Sequence, residues 1–413
     1  MARSSPPSNT QLVLTSPPSL ETVTSTPAIA LFTYSTKPRG SVVHTLELAE
    51  ALHDLGLLVC VYALDKDGGG FYRPVRCPHK LVPAQPVAGG IDILIKQRIQ
   101  EFVDYLSQID QIYDCYHAQD CISANAIDVL KQSYPIPYFI RTVHHIEDFN
   151  SPYLQDCQEK SIRNPDLCLC VSTKWQAELQ EKYQIHAPRV TNGVNSQRFS
   201  LHQDGSETAL KRQLGLAGAP IYLTVGGIEP RKNSLLLLQA FIRVLTQYPQ
   251  AQLVIAGGAT LFDYQAYQEE FFATVLQANV SVGKSLILPG TIPDRQLPAL
   301  YRLSDAFVFP SIKEGWGLVV LEAMASGIPV ITSNIAPFTE FLSDADALLV
   351  NPNSVEAIAL AMTTILQPEI AQPLKQRGLE ISDRYTWQQS ALQHLTHYLR
   401  ANQGAARGCG VYS

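Results

Sequence analysis

Charge is sparse in this chain, and basic charge is in deficit. Charged residues make up 16% of the 413, and 37 acidic side chains against 31 basic ones leave a formal net charge of −6. A nucleic-acid-binding surface needs a basic excess, so that class is set aside, and any phosphate-bearing ligand must be held by a few local groups. Long apolar runs are lacking too: no stretch reaches the length of a membrane-spanning helix, and nothing supports a peripheral membrane contact. The first 27 residues, rich in Ser, Pro and Thr, offer only "LVL" as an apolar core, too short for a signal peptide. Residues 1–27 read as a disordered leader and 401–413 as a loose tail. The 8 cysteines have no metal-ligand or disulfide-framework spacing. Cys168 and Cys170 alternate in "DLCLCVS", which puts them on one face of a strand, as core residues. A reducing cytoplasm fits this cysteine usage.

What is present is a rhythm. At 413 residues with 46% apolar content, two globular domains are expected. "AIALFTYS" (28–35) reads as a strand, "HTLELAEALHDLG" (44–56) as an amphipathic helix and "LLVCVYAL" (57–64) as the next strand, a β-α-β unit with a parallel sheet. "DCYHA", "YFIRTVHH" and "DLCLCVS" continue the series. After the polar stretch "LHQDGSETALKRQLG" the pattern restarts with strand "PIYLTVGG" (220–227) and helix "NSLLLLQAFIRVLTQY" (233–248). "AQLVIAGG", "SLILPGT", "AFVFPS" and "IPVITS" supply later strands. The fold class is therefore α/β, two doubly wound Rossmann-like domains facing a cleft. Such sheets take ligands outside the carboxyl ends of their strands. Candidate residues stand there: His117 after "YDCY", His144 after "YFIRTV", Gly226 and Gly227 after "YLTV", Gly257 and Gly258 after "LVIA", and Glu314 after "AFVFPS".

The stretch "KEGWGLVVLEAMASG" (313–327) sets Glu314 and Glu322 eight positions apart in an apolar segment. Buried carboxylates are costly unless bonded, so both are either satisfied within the fold or await hydroxyl donors. A helix starting near Gly317 would leave the amides of Gly315, Trp316 and Gly317 free for ligand oxygens at its N-terminus. Glu322 would lie roughly 12 Å farther along. "PSIKEGWGLVVLEAMASGIPVI" resembles the E-x7-E signature of retaining glycosyltransferases of family four (glycosyl transferases group 1), which have the GT-B fold. "TNGVNSQRF", "LILPGTIPDRQLPALYRLSDAFVFPS" and "GSVVHTLELAEALHDLG" match that family in order and spacing, from about residue 28 to 400.

The resemblance implies an N-terminal acceptor domain over 28–198, a nucleotide-sugar donor domain over 199–384, and a helix over 385–400 that crosses back to complete the first domain. It further implies a metal-independent transfer from a nucleoside diphosphate sugar (UDP- or GDP-sugar), with no resident cofactor and an unidentified acceptor. Glu314 and His144 match the residues beside the donor sugar. Gly315, Trp316, Gly317 and Leu318 match the amide-bearing segment, Glu322 the ribose-binding glutamate, and Lys232 the diphosphate lysine. Two positions depart from the pattern. Gly227 stands where the family has an arginine, so Arg231 either supplies that charge or lies at the surface. Arg39 replaces the first of two glycines, leaving Gly40 to approach the diphosphate. Trp316 replaces the usual Phe, a change expected to reshape the sugar pocket. "DKD" (65–67) reads as a turn, and His117 and His145 as secondary candidates. A non-catalytic sugar-nucleotide binder, and a phosphorylase or epimerase of the same fold, remain as alternatives.

Overall fold

The structure, a computed structural model, describes residues 26–258 and 264–408. The leader read over 1–27 falls, through residue 25, outside the described residues. Among the described residues the strands form two six-stranded, all-parallel sheets. The first contains β1 (Ala28–Thr33), β2 (Leu58–Asp65), β3 (His79–Pro83), β4 (Cys115–Ala118), β5 (Phe139–Val143) and β6 (Leu167–Cys170), in the order β3-β2-β1-β4-β5-β6. Its helices are α1 (Gly40–Asp54), α2 (Ile91–Leu106), α3 (Cys121–Leu130), α4 (Pro152–Arg163) and α5 (Thr173–Tyr183).

A short α6 (Glu207–Gln213) leads into the second unit. Its strands are β7 (Ile221–Val225), β8 (Gln252–Ala256), β9 (Leu286–Gly290), β10 (Ala306–Phe309), β11 (Val330–Ser333) and β12 (Leu348–Val350), in the order β12-β11-β10-β7-β8-β9. The helices are α7 (Ser234–Leu245), α8 (Gln265–Gln277), α9 (Leu297–Arg302), α10 (Leu318–Ala325), α11 (Val355–Thr364), α12 (Pro368–Arg384) and α13 (Trp387–Gly408). Each sheet reverses its winding once, between β1 and β4 and between β7 and β10. Those two switch points are where a crevice opens beyond the strand ends.

Strand alternation sorts the core onto two faces of each sheet. On one face of the first sheet Leu31, Val59 and Ile140 meet Leu46 and Leu52 of α1 and Trp387, Ala391, Leu395 and Tyr398 of α13. On the other, Phe32, Tyr62 and Phe139 meet Phe102 of α2 and Ile127 of α3. In the second sheet Tyr222, Leu253 and Val308 pack on Phe241 of α7 and Met362 of α11. Its opposite face, with Leu223, Val254 and Phe307, is continuous through Val320 and Met324 of α10 with Cys168, Cys170, Val171, Trp175 and Leu179 of the first unit. One apolar cluster thus spans both units.

Polar ties repeat this join. The Glu340 carboxylate accepts from the amides of Thr173 (2.7 Å) and Lys174 (2.9 Å), so a second-unit anion covers the N-terminus of α5. The backbone of Val194 donates to Tyr385 (2.9 Å), and the Thr191 amide to Gln393 (2.8 Å), which fastens α13 to the connecting segment.

Three local differences from the sequence reading have simple causes. Helix α1 starts at Gly40 rather than at residue 44, because Arg39 is extended (φ −120°, ψ 153°) and the chain turns helical at once. Strands β3 and β12 carry no long apolar run, since β3 is mostly exposed and β12 is only three residues long. Helix α13 continues to Gly408, into the segment read as a loose tail; residues 409–413 lie outside the described residues.

Candidate active site

The second switch point gathers the charged groups. After β7 the chain runs through Gly226 and Gly227 into a single 3-10 turn, Pro230–Lys232, and then α7. Asn233 ends that turn in the left-handed region (φ 59°), and its Nδ2 donates to the carbonyls of Pro310 (3.1 Å) and Pro352 (2.6 Å). The turn is thereby pinned against the segment following β10, which carries Glu314. Lys232 Nζ donates to Glu314 Oε1 at 2.6 Å, Arg231 Nη1 to the same oxygen at 3.1 Å, and Ser311 Oγ at 2.8 Å. Arg231 Nε also faces Glu229 Oε2 at 3.2 Å. The side chain of Arg231 therefore reaches Glu314 and Glu229 while staying about one third exposed.

These contacts set the charge states. Burial works to raise the Glu314 carboxyl, but the Lys232 and Arg231 cations, with the bonds from Lys232 and Ser311, together hold it below the usual range. Burial and the neighbouring Arg231 both push the Lys232 ammonium down, against the pull of Glu314. Its Nζ also lies 4.6 Å from the centre of the Phe309 ring. Gly227, the position of the missing arginine, has little room for a side chain: a Cβ there would stand 3.0 Å from the carbonyl oxygen of Gly258 and 3.2 Å from Glu229 Oε1.

From Glu314 the chain passes to the first unit's side. Trp175 Nε1 donates to the Glu314 carbonyl at 3.0 Å. Gly315 lies so close to the backbone of His144 that a Cβ would run into the His144 carbonyl oxygen. Among the described residues the amides of Gly315, Trp316, Gly317 and Leu318 have no backbone or side-chain acceptor. The Trp316 ring is buried, stacked on Phe341 (4.9 Å between centroids) and edge-on to Tyr385 (5.5 Å). The ring thus packs in the core beneath the loop.

Glu322, one helical run further, is in different surroundings. It accepts from Tyr301 Oη at 2.8 Å and lines a narrow pocket with Val43, Glu47, Asn195, Arg198 and Leu318, between α1 and α10. Burial raises its carboxyl to about 7, only partly offset by Arg198 and the Tyr301 hydroxyl. Arg198 itself pairs with Asp294 (2.5 Å).

At the first switch point Gly40 opens α1, whose N-cap, Arg39, makes no side-chain cap bond. α3, α4 and α5 are instead capped by Asp120, Ser151 and Ser172. Among the described residues the first amides of α1 therefore have no side-chain acceptor. His144 follows β5, is buried, and hydrogen-bonds Gln119 at 3.0 Å. Burial, with His44 and Arg141 nearby, pushes its imidazole well below the ordinary value, so it is neutral. His117 is fully buried behind it, and His145 is on the rim, 2.8 Å from Glu147.

Ser311, Glu229 and Gln119 join this site from inside stretches the sequence reading had marked, "AFVFPS", "GGIEPRKN" and "YHAQD". Trp175, Tyr301 and Arg198 arrive from distant segments with no local motif, and only the fold brings them in.

The chain matches two family profiles, Glycosyl transferases group 1 over residues 206–378 and Glycosyltransferase Family 4 over 38–198. It is 29% identical over 277 residues to the O-antigen chain mannosyltransferase B of Escherichia coli, covering 63% of this chain and 69% of that protein. Among solved structures it superposes on sucrose-phosphate synthase of Thermosynechococcus elongatus with a TM-score of 0.75 at 23% identity, covering 92% of this chain and 100% of that one. It superposes on Anabaena HepE in complex with UDP and glucose with a TM-score of 0.71 at 18% identity, covering 91% and 99%. At these identities the structural likeness speaks to fold.

Proposed function

Because the chain belongs to the family-four, group 1 glycosyltransferases and has their two-domain GT-B fold, we propose that it is a retaining, metal-independent enzyme that moves a sugar from a nucleoside diphosphate sugar to an acceptor. The observation that carries this reading is the convergence of Lys232 Nζ and Arg231 Nη1 on one oxygen of Glu314, at a strand switch point. Two cations held by a single carboxylate oxygen can be handed to a diphosphate. Loss of the nucleoside diphosphate builds negative charge on the leaving oxygen, and preorganised cations stabilise it most where water is excluded. In this reading the uncapped start of α1 at Gly40 and the Gly226–Gly227 turn lie along the same diphosphate.

Once the cations move to phosphate, Glu314 is free to accept from sugar hydroxyls, beside the amides of Gly315, Trp316, Gly317 and Leu318. His144 stands against the same loop, and Glu322 takes the ribose hydroxyls. Retention follows a front-face course: the acceptor oxygen bonds to the anomeric carbon as the carbon–phosphate-oxygen bond breaks, and the acceptor's proton passes to the departing diphosphate. The UDP and glucose in the Anabaena complex support a nucleotide-sugar donor. Among the described residues no helix is long and apolar enough to cross a membrane. We place the reaction in the cytoplasm on the strength of the cysteine usage.

A panel of UDP- and GDP-sugars in a thermal-shift assay should single out one strongly stabilising donor. Incubation of that donor with candidate acceptors, in excess chelator, should then give a product of unchanged anomeric configuration. Donor binding without transfer or hydrolysis would make the protein a binder. Turnover that stops on chelation and returns with magnesium or manganese would overturn metal independence.

A further inference from the structure

Behind His144 runs a chain of buried polar groups that the proposed reaction does not use. His144 Nε2 is 3.0 Å from Gln119 Oε1, Gln119 Nε2 is 3.1 Å from His117 Nε2, and His117 Nδ1 is 2.8 Å from Tyr398 Oη. Thr142 Oγ1 also lies 2.7 Å from His117 Nε2. Gln119 is 1% exposed, and His117, Thr142 and Tyr398 are fully buried. The chain spans three elements: it starts at the end of β5, crosses β4, and ends on α13, the helix that returns from the second unit.

An amide has one accepting and one donating end, so Gln119 gives the chain a direction. Its oxygen faces His144, hence His144 Nε2 carries the proton. Its nitrogen faces His117, hence His117 Nε2 accepts, from both Gln119 and the Thr142 hydroxyl. A neutral His117 then holds its proton on Nδ1 and donates to Tyr398 Oη. In this sense Gln119, Thr142 and both imidazoles each meet a complementary partner, and Tyr398 Oη accepts. Reversing any one bond would set two donors or two lone pairs against each other, unless the whole chain reversed. His144 Nδ1 is left with the lone pair. It has no protein partner among the described residues and is not sealed from solvent.

We propose that Gln119 is a positioning residue that locks His144 in the Nε2–H tautomer, so that His144 meets the donor sugar as a hydrogen-bond acceptor through Nδ1, with Tyr398 of the returning helix anchoring the far end. The role toward sugar rests on the reading of His144 given above; the tautomer itself does not. Which ring nitrogen bears the proton is set by the bond the other one makes, and here that bond is made by an amide that cannot turn over unless both imidazoles exchange tautomers with it.

The test is imidazole nitrogen NMR on the full-length protein labelled at histidine, at pH 8, with His144→Gln and His117→Gln to assign the signals. Wild type should show a pyrrole-like Nε2 and a pyridine-like Nδ1 for His144, and the opposite pair for His117. Gln119→Leu should release His144 to a mixture of tautomers. Its kcat should fall by at least about tenfold while nucleoside diphosphate affinity stays within about twofold, since Gln119 is buried behind His144. Gln119→Glu keeps an acceptor for His144, so that ring should stay Nε2–H, whereas His117 should switch to Nε2–H to meet the carboxylate. A wild-type His144 protonated on Nδ1, or a Gln119→Leu protein whose His144 tautomer is unchanged, would overturn the proposal. A changed tautomer with undiminished kcat would uphold the lock and overturn the sugar-facing role of His144.

Discussion

Glu314 and Glu322 are both buried, yet their carboxyls are driven in opposite directions, and the cause is the nearest partner. Among the described residues Glu314 meets two cations and a hydroxyl, and Glu322 one hydroxyl, with Arg198 acting through space. Glu314→Gln should therefore abolish most turnover while nucleoside diphosphate affinity holds or tightens, because Lys232 and Arg231 no longer have to leave a carboxylate. Glu322→Ala should bind the diphosphate roughly ten- to a hundredfold more weakly, as loss of a charged acceptor costs about 1.5–3 kcal/mol. Titration calorimetry beside turnover measurements checks the split; the reverse pattern would exchange the two roles. Glu322 also predicts a pH effect. Its carboxyl, raised to about 7 from an ordinary 4.5, is favoured in the neutral form. The stability this form contributes is complete below about 4.5 and is lost as pH rises through about 7, so Glu322→Gln should gain melting temperature over wild type across that window. Ribose hydroxyls favour the ionised form. Binding near pH 6.5 should therefore release a proton, detected as a buffer-dependent binding enthalpy, and affinity should fall as the pH is lowered from 8 to 6.

At the scale of the element, the turn between β7 and α7 matters most, because it delivers two adjacent side chains to one oxygen. In an extended segment neighbours point to opposite faces; the 3-10 turn at Pro230–Lys232 and the left-handed Asn233 bring Arg231 and Lys232 to the same side. Arg231→Ala should thus weaken diphosphate binding nearly as much as Lys232→Ala, each by about tenfold or more. A neutral Arg231→Ala beside a damaging Lys232→Ala would remove Arg231 from the site. Restoring the family's arginine should not help: the space at Gly227 is closed by the backbone of Gly258, so Gly227→Arg should lower both melting temperature and donor affinity. The sequence made the strands around this turn legible because central parallel strands are buried on both faces and read as apolar runs. It left β3 and β12 unread because β3 is mostly exposed and β12 has only three residues, too few for such a run to stand out. It could not show that the Trp316 ring stacks on Phe341, since a motif tells which residue is present and not which way its side chain turns.

At the scale of the whole molecule, α13 closes the structure. It lays Trp387, Ala391, Leu395 and Tyr398 against α1 and the first sheet, and sets His394 into a fully buried place next to His44 (5.8 Å between ring centroids). Burial, together with the nearby His394, pushes His44 down to about 3, so these imidazoles stay neutral. Truncation from residue 385 should uncover this apolar face, leave Glu322's pocket without Trp387, and give an insoluble or inactive protein; a soluble, fully active truncation would contradict that role. Residue order alone determined the class of fold, the two-unit rhythm and the positions of Glu314, Glu322, Lys232 and His144. Those follow from local periodicity and from motifs whose members lie within a few residues of one another. Only the tertiary structure decided that Arg231 reaches Glu314, that Glu322 is bonded by Tyr301 alone among the described residues, and that His144 is tied through Gln119 and His117 to a helix more than two hundred residues downstream. The physical reason is that hydrogen bonds and charge pairs act over a few ångströms of space, and the folded path of the chain, not its order, sets which groups come that close.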